Sequence, residues 1–203
     1  MNDILFGNNN GPVLKLLAKR SLKAQKNTIA VLAIVLATLL FTSLFTIAIS
    51  LQTAMQESNM RTIGTSAHAG IKRLSWEEYE LLSTDTGIRD IGYSVIIGNA
   101  VGDSFHKTPT ELRYGDDAYA KLTFNFPDTG RLPEQKNEIA TSRIVLAAMG
   151  LPDEIGTQIE LTFVTDAESF TDTFTLCGIW DGDAVAYRQT MLLSEEYTEQ
   201  VAP

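Results

Sequence analysis

The sequence predicts an α+β protein carried on a single transmembrane helix. Residues 29–51, IAVLAIVLATLLFTSLFTIAISL, run for twenty-three positions without a charge, Pro, Gly, Asn or Gln. Basic residues crowd the approach to this run and acidic ones dominate after it. The remaining 152 residues alternate short strand-like and helix-like segments punctuated by Gly and Pro, at a length usual for one domain.

The apolar run comes first in the argument. At about 1.5 Å per residue it reaches roughly 34 Å as an α-helix, enough to cross a hydrocarbon core of about 30 Å. The predicted transmembrane helix is 28–51. A cleaved signal peptide has an apolar region of about 7–15 residues, and the A-x-A match Ala67-His68-Ala69 lies too far beyond the run. The run therefore reads as a retained anchor.

Lys15, Lys19, Arg20, Lys23 and Lys26 precede it against Asp3 alone, a net charge of +4. Lys and Arg resist translocation, so the N-terminus is expected in the cytoplasm of a cell-membrane protein and residues 52–203 outside. The four lysines are spaced 4, 4 and 3, which puts them on one helical face opposite Val13, Leu14, Leu17, Ala18 and Ala24. Residues 12–27 are thus predicted as a basic amphipathic helix on the lipid surface; the plainer reading is a flank that only sets topology. Residues 1–11, MNDILFGNNNG, read as a disordered start.

Thr38, Thr42 and Thr46 recur every four residues and form one stripe of the membrane helix. Two readings stand side by side. The stripe packs against other transmembrane helices, or each hydroxyl bonds its own backbone four residues back.

Residues 52–203 hold 24 acidic and 11 basic residues. That excess of about −13 argues against nucleic acid, whose phosphates demand a positive footprint. It suits a cationic extracytoplasmic protein or peptide partner, or simply keeps the domain soluble. The single cysteine, Cys177, makes no internal disulfide and sits in a strand-like, buried-looking run, which fits a bacterial envelope.

Element by element, residues 52–60 continue the membrane helix. Ser75-Trp76-Glu77-Glu78 is a capping box opening a helix to about Ser83. Residues 93–100 and 111–114 are strands, and 116–122 a short helix. Pro127-Asp128-Thr129-Gly130 is a turn. Residues 137–140 form a strand, Thr141 or Ser142 caps a helix to Met149, and Gly150 closes it. A tight turn at Gly156 leads to residues 158–164, with Ile159, Leu161 and Phe163 inward. Residues 172–180 alternate again with Phe174, Leu176 and Gly178 inward, forming a hairpin over the loop 165–171. Residues 190–193 are the last strand, and Ser194 starts a helix.

Catalytic motifs are lacking. There is no phosphate-binding P-loop, no G-x-S-x-G elbow and no H-E-x-x-H helix. His68 and His106 have no partner at metal-ligand spacing. Ser104-Phe105-His106-Lys107 matches S-x-x-K but lacks S-D-N and K-T-G partners. Asp181-Gly182-Asp183 reads as a solvated turn over a Ca²⁺ site, and Asp116-Asp117 has no partner to act with. The expectation is a non-catalytic chain without cofactor or metal.

The order of basic helix, anchor and acidic outer domain carries a resemblance. LAKRSLKAQKNTIAVLAIVLATLLFTS, GRLPEQKNEIATSRIVLAAMGLPDEIGTQIELTF, FTLCGIWDGD and MLLSEEY resemble FtsX-like, MacB-like ABC transporter permeases. The positions matching the MacB-like core pattern are Gly130, Arg131, Pro133, Asn137, Glu138, Ile139, Ser142, Ala147, Gly150, Gly156 and Ile159. The resemblance covers roughly residues 12–60 and 128–197 and is structural in kind. It implies a MacB-like extracytoplasmic core, a separate cytoplasmic ATPase subunit, a homodimer of the full permease, and either export or ATP-driven motion of the outer domain. Members of that family carry three further transmembrane helices after the outer domain, so the resemblance implies that this chain is the N-terminal part of such a permease or a truncated form of one. A single-pass surface module binding a ligand or partner is the competing class; a membrane-tethered hydrolase is a third.

Overall fold

The computed structural model describes residues 11–23, 25–165 and 168–201, without the side chains of residues 22, 23, 25 and 26. The predicted disordered start lies outside the described residues apart from Gly11, and so do the side chains of Lys23 and Lys26. The chain divides into two units, Met1–Gln56 and Glu57–Pro203.

The first unit is helical. α1 spans Gly11–Lys23 and α2 spans Gln25–Ile63. The predicted boundary at 27/28 moves upstream, because Asn27 lies inside α2 and its amide donates to the carbonyl and hydroxyl oxygens of Ser21, both at 2.8 Å. One carbonyl near the end of α1 is thereby given a side-chain donor. α2 is long and apolar enough to cross a membrane and, as predicted, continues unbroken past residue 51.

The second unit is mixed helix and sheet, as the sequence implies, but its sheet is closed. α3 (Trp76–Ser83) opens on the predicted capping box. The Glu78 N–H donates to the Ser75 hydroxyl at 3.2 Å, and the Ser75 N–H donates to the Glu78 carboxylate at 2.9 Å. That bond from the Ser75 backbone holds Glu78 below the ordinary carboxylate range. β1 (Ser94–Val101), β2 (Thr110–Gly115), α4 (Asp117–Leu122), β3 (Thr129–Gly130), β4 (Glu138–Ser142), α5 (Arg143–Met149), β5 (Gln158–Val164), β6 (Ser169–Trp180), β7 (Gln189–Leu193) and α6 (Glu195–Val201) follow. The strands pair in the order β6-β4-β7-β2-β1-β5, and β5 returns to β6, so six strands make a barrel. β2–β7 and β4–β6 are parallel; the other barrel pairs are antiparallel.

The barrel is filled by Ile97, Leu112, Ile139, Ile159, Leu161, Phe163, Phe174, Leu176, Ile179, Met191 and Leu193, together with Val145 and Leu146 of α5 and Tyr197 of α6. A smaller cluster of Ala120, Ala140, Cys177, Trp180 and Leu192 packs separately. The predicted alternation of β5 is present, with Ile159, Leu161 and Phe163 fully buried. That of β6 is corrected: Phe174 and Leu176 face the core, but Ile179 follows instead of Gly178. Ile139 pairs with Leu176 and Ala140 with Gly178, so Cys177 is an extra residue and the bulge reverses the phase of the strand.

Two further corrections come from pairing over distance. The loop predicted over 165–171 is shorter, because Val164 pairs with Ser169 and the Thr162 and Thr171 hydroxyls bond across the strands at 2.9 Å. The predicted turn at Pro127–Gly130 is an extended segment. The Asp128 N–H donates to the Ile179 carbonyl and the Arg131 N–H to the Cys177 carbonyl, both at 2.9 Å, which lays β3 along β6.

Ser142, not Thr141, caps α5: its hydroxyl accepts from the Val145 N–H and donates to the Gln189 side chain at 3.1 Å. Gly150 closes the helix at φ +70 with nothing within 4 Å of where a Cβ would stand. Only backbone strain opposes substitution there, so Gly150→Val is expected to cost about 1–2 kcal/mol. Thermal melting checks this, and an unchanged melting temperature would show that the left-handed stop does not matter.

Candidate functional site

In the first unit the predicted residues occupy a helical surface. Lys15, Lys19 and Arg20 are exposed on α1 beside exposed Val13, Leu14, Leu16 and Leu17. On α2, Leu32, Leu36, Phe41, Phe45 and Ile49 are all largely uncovered. Such a contiguous apolar surface on a helix calls for lipid or other helices. The Thr stripe is locally satisfied: Thr42 donates to the Thr38 carbonyl and Thr46 to the Thr42 carbonyl, each at 2.8 Å, and Thr38 donates to the Ile34 carbonyl. Back-bonding leaves no orphan donor in the stripe.

The last turn of α2 lies in the second unit and is tied into it. Arg61 places its guanidinium over the Phe124 ring at 5.1 Å and lies 3.7 Å from the Asp183 carboxylate and 3.3 Å from Glu57. Gly64, at φ +83, closes the helix with its N–H on the Met60 carbonyl, and the Thr65 and Ser66 side chains and the Ser66 N–H donate to the Leu122 carbonyl. Asp183 is therefore not the solvated turn residue predicted. Its Oδ1 accepts from the Val185 N–H, and its buried Oδ2, without a hydrogen-bond partner among the described residues, lies 3.7 Å from the Arg61 guanidinium.

The residues of the family-like pattern gather along β3, β4, α5 and β5. Arg131 donates two bonds to Glu138, at 2.9 and 2.5 Å, and Glu138 also accepts from the N–H groups of Glu134 and Gln135 at 3.0 Å. Burial opposes the Glu138 charge, but these four donors outweigh it and hold its carboxyl below the ordinary range. Gly130 stands at φ +81 with its would-be Cβ 2.2 Å from the Cys177 carbonyl oxygen, so only glycine fits. Pro133 lies in the loop to β4, the Asn137 carbonyl accepts from the Thr175 N–H at 2.7 Å, Ile139 and Ile159 are core, and the Gly156 N–H donates to the Leu176 carbonyl at 2.8 Å. Ala147 lies exposed on α5. These positions build the barrel wall and expose no reactive group as a set. Burial, ahead of the nearby Glu138 charge, pushes the Cys177 thiol up to about 12, which makes it a poor nucleophile.

Two ion-pair centres lay outside the sequence reading. Arg143 grips Asp128 through two bonds at 2.8 and 2.9 Å and Asp181 at 2.7 Å. Arg188 and Arg113 flank Glu111, with the Arg188–Glu111 bond at 3.0 Å. Arg143 draws on segments 15 and 38 residues away and Arg188 lies 77 residues from Glu111, which a linear pattern does not join.

The remaining chemical candidates do not assemble. Ser104 lies in a single 3-10 turn, Asp103–Phe105, with Lys107 beyond it, and His106 stands exposed near Asp103. Asp116 is the N-cap of α4, accepting from the Tyr119 N–H at 2.7 Å. Among the described residues, no three His, Cys, Asp or Glu side chains form a metal-binding group.

A cleft of about 330 Å³ joins several elements. Trp76 of α3, Tyr93 before β1, Tyr114 of β2 and Glu195 and Glu199 of α6 line it. The Tyr93 hydroxyl donates to Glu195 at 3.2 Å and lies 3.4 Å from the Tyr114 hydroxyl. Burial, then these neighbours, pushes the Tyr93 hydroxyl far above its ordinary range, so it stays a neutral donor.

Together these features define a six-stranded barrel domain continuous in sequence with a helix long and apolar enough to span a membrane. Compared with known proteins, the chain matches no family model and no curated sequence.

Proposed function

We propose that the chain is the anchor and outer domain of an FtsX/MacB-like ABC permease subunit, whose ATP hydrolysis resides on a separate cytoplasmic subunit. The observation that carries this reading is the order of a basic helix, a helix long and apolar enough to cross a membrane, and a mixed barrel domain after it. Within the second unit, Arg61, Gly64, Thr65 and Ser66 tie the last turn of α2 and the residues after it to Leu122, Phe124 and Asp183. The basic face of α1 suits contact with anionic lipid or an ATPase at the cytoplasmic side. The uncovered apolar length of α2 suits the helices of a permease dimer. In this reading the barrel stands where the family has its MacB-like core, and the chain itself performs no catalysis.

Affinity purification of the full-length gene product from its native membrane in mild detergent tests this. Co-isolation of a P-loop ATPase supports the permease; recovery of the barrel protein without one, after crosslinking, leaves the single-pass binding module instead.

Orientation has its own test. Tyr187 is 85% exposed and native Cys177 is buried, so Tyr187→Cys gives a reporter for a membrane-impermeant thiol reagent with little background. The wild-type charge pattern should label from outside. Reversing Lys15, Lys19, Lys23 and Lys26 to Glu should shift a major fraction to inside labelling, and unchanged labelling would show that these charges do not set topology.

A further inference from the structure

We propose that the cleft between α3, β1, β2 and α6 takes the ammonium or guanidinium head of a Lys or Arg side chain from a cationic polypeptide. The inference is independent of the permease reading. Its geometry is an aromatic wall facing two carboxylates. Trp76 stacks on Tyr79 with centroids 5.0 Å apart, Tyr93 meets Trp76 edge-on at 5.5 Å, and Tyr114 continues the wall at 5.6 Å from Tyr93. The three interlocked contacts fix the ring orientations, which is what a cation–π site requires. Trp76 nevertheless remains 59% exposed, a large ring that the barrel does not cover.

The opposite wall supplies charge. Glu195 and Glu199 stand four residues apart on α6, so both face the cleft, and like charges at that spacing repel. The Tyr93 hydroxyl holds Glu195 in place. Among the described residues that line the cleft there is no Lys, Arg or His to answer the two carboxylates. A neutral aromatic ligand would leave this charge unanswered; an anion would be repelled. A cation with an alkyl stem satisfies both walls at once, its head between the carboxylates and its methylenes on the rings.

Two features favour a polypeptide over a free amine. The excess of 24 acidic over 11 basic residues extends through residues 52–203, so a ligand with several positive charges is drawn to more than the cleft. Leu81 of the same helix as Trp76 is 73% exposed, which leaves apolar surface on α3 for a longer ligand.

The test uses the full chain in detergent. Trp76 is exposed and Trp180 is buried, so emission from Trp76 reports on the cleft and blue-shifted Trp180 emission reports that the barrel is folded. The probes are an Arg-rich tripeptide, the same peptide with citrulline for arginine, and arginine amide. The expected result is saturable perturbation of Trp76 by the Arg peptide and at least about tenfold weaker binding of the citrulline peptide and of the free amide. Glu195→Gln with Glu199→Gln should weaken the Arg peptide by about tenfold or more while Trp180 emission is unchanged. Isothermal titration of Trp76→Leu should show a similar loss. Equal binding of the citrulline peptide, or binding unaffected by the double Glu substitution in a folded barrel, would overturn the cation site. Free arginine amide binding as tightly as the peptide would overturn the polypeptide occupant.

Discussion

Phe174→Ala is expected to cost about 3–5 kcal/mol, a large part of the 5–15 kcal/mol that holds a typical domain. Phe174 is fully buried at the seam where β5 and β6 close the barrel, opposite Ile159. Its ring meets Tyr197 edge-on at 5.0 Å, and Tyr197 in turn donates its hydroxyl to Asp172 on the same strand. Removal of the ring therefore opens a cavity and also loosens the seat of α6 on the barrel. Interiors of this density relax only partly around such a loss. The denaturant midpoint of the detergent-solubilised chain, read from Trp180 emission, should fall with little change in slope. Phe170→Ala, at a half-buried position earlier on β6, should cost distinctly less. Equal effects at the two positions would mean that the β5–β6 seam does not enclose the core.

Local rules made parts of this fold legible. The apolar run, the Ser75–Glu78 box, the alternation of β5 and the Gly150 stop each depend on residues within one turn or one strand, and the structure has all four. What failed depends on partners far along the chain. Nothing in FTLCGIW shows that Cys177 will bulge, because the bulge is set by the register of β4 some forty residues earlier. Pro127-Asp128-Thr129-Gly130 has turn chemistry, but pairing with β6 overrides it. Closure itself rests on β1–β5 and β5–β6, and pairing of that kind leaves only a strand pattern in each segment.

The same distinction applies to function. The lysines of α1 and the Thr stripe of α2 are periodic, so they could be seen. The cleft takes Trp76, Tyr93, Tyr114 and Glu195 from four elements, and no spacing connects them. Arg131 and Glu138 are an intermediate case. Seven residues apart, they could be singled out only through the family resemblance; their bidentate contact exists because β3 and β4 both lie against β6.

That contact carries the second large effect. Glu138→Gln is expected to lower stability at pH 7 by about 2–4 kcal/mol, since it removes a mostly buried carboxylate that accepts four bonds and leaves the Arg131 charge with only the more distant Glu134, 3.6 Å away. The effect has a fixed sign with pH. Glu138 titrates below its ordinary value of about 4.3 when folded. Its contribution is therefore complete above that value and is lost as pH falls through the lower, folded one. Melting temperatures of wild type and Glu138→Gln should stay well apart from pH 7 to about pH 5 and converge below about pH 4. Arg131→Lys keeps the charge but not the fork that meets both carboxylate oxygens, so it should fall between wild type and Arg131→Ala. A gap between wild type and Glu138→Gln that persists unchanged to pH 3 would show that side-chain packing, and not the ion pair, gives this position its weight. Convergence would place the pair among the contacts that keep β3, β4 and β6 in register, the part of the wall where Gly130 leaves no room for any other residue.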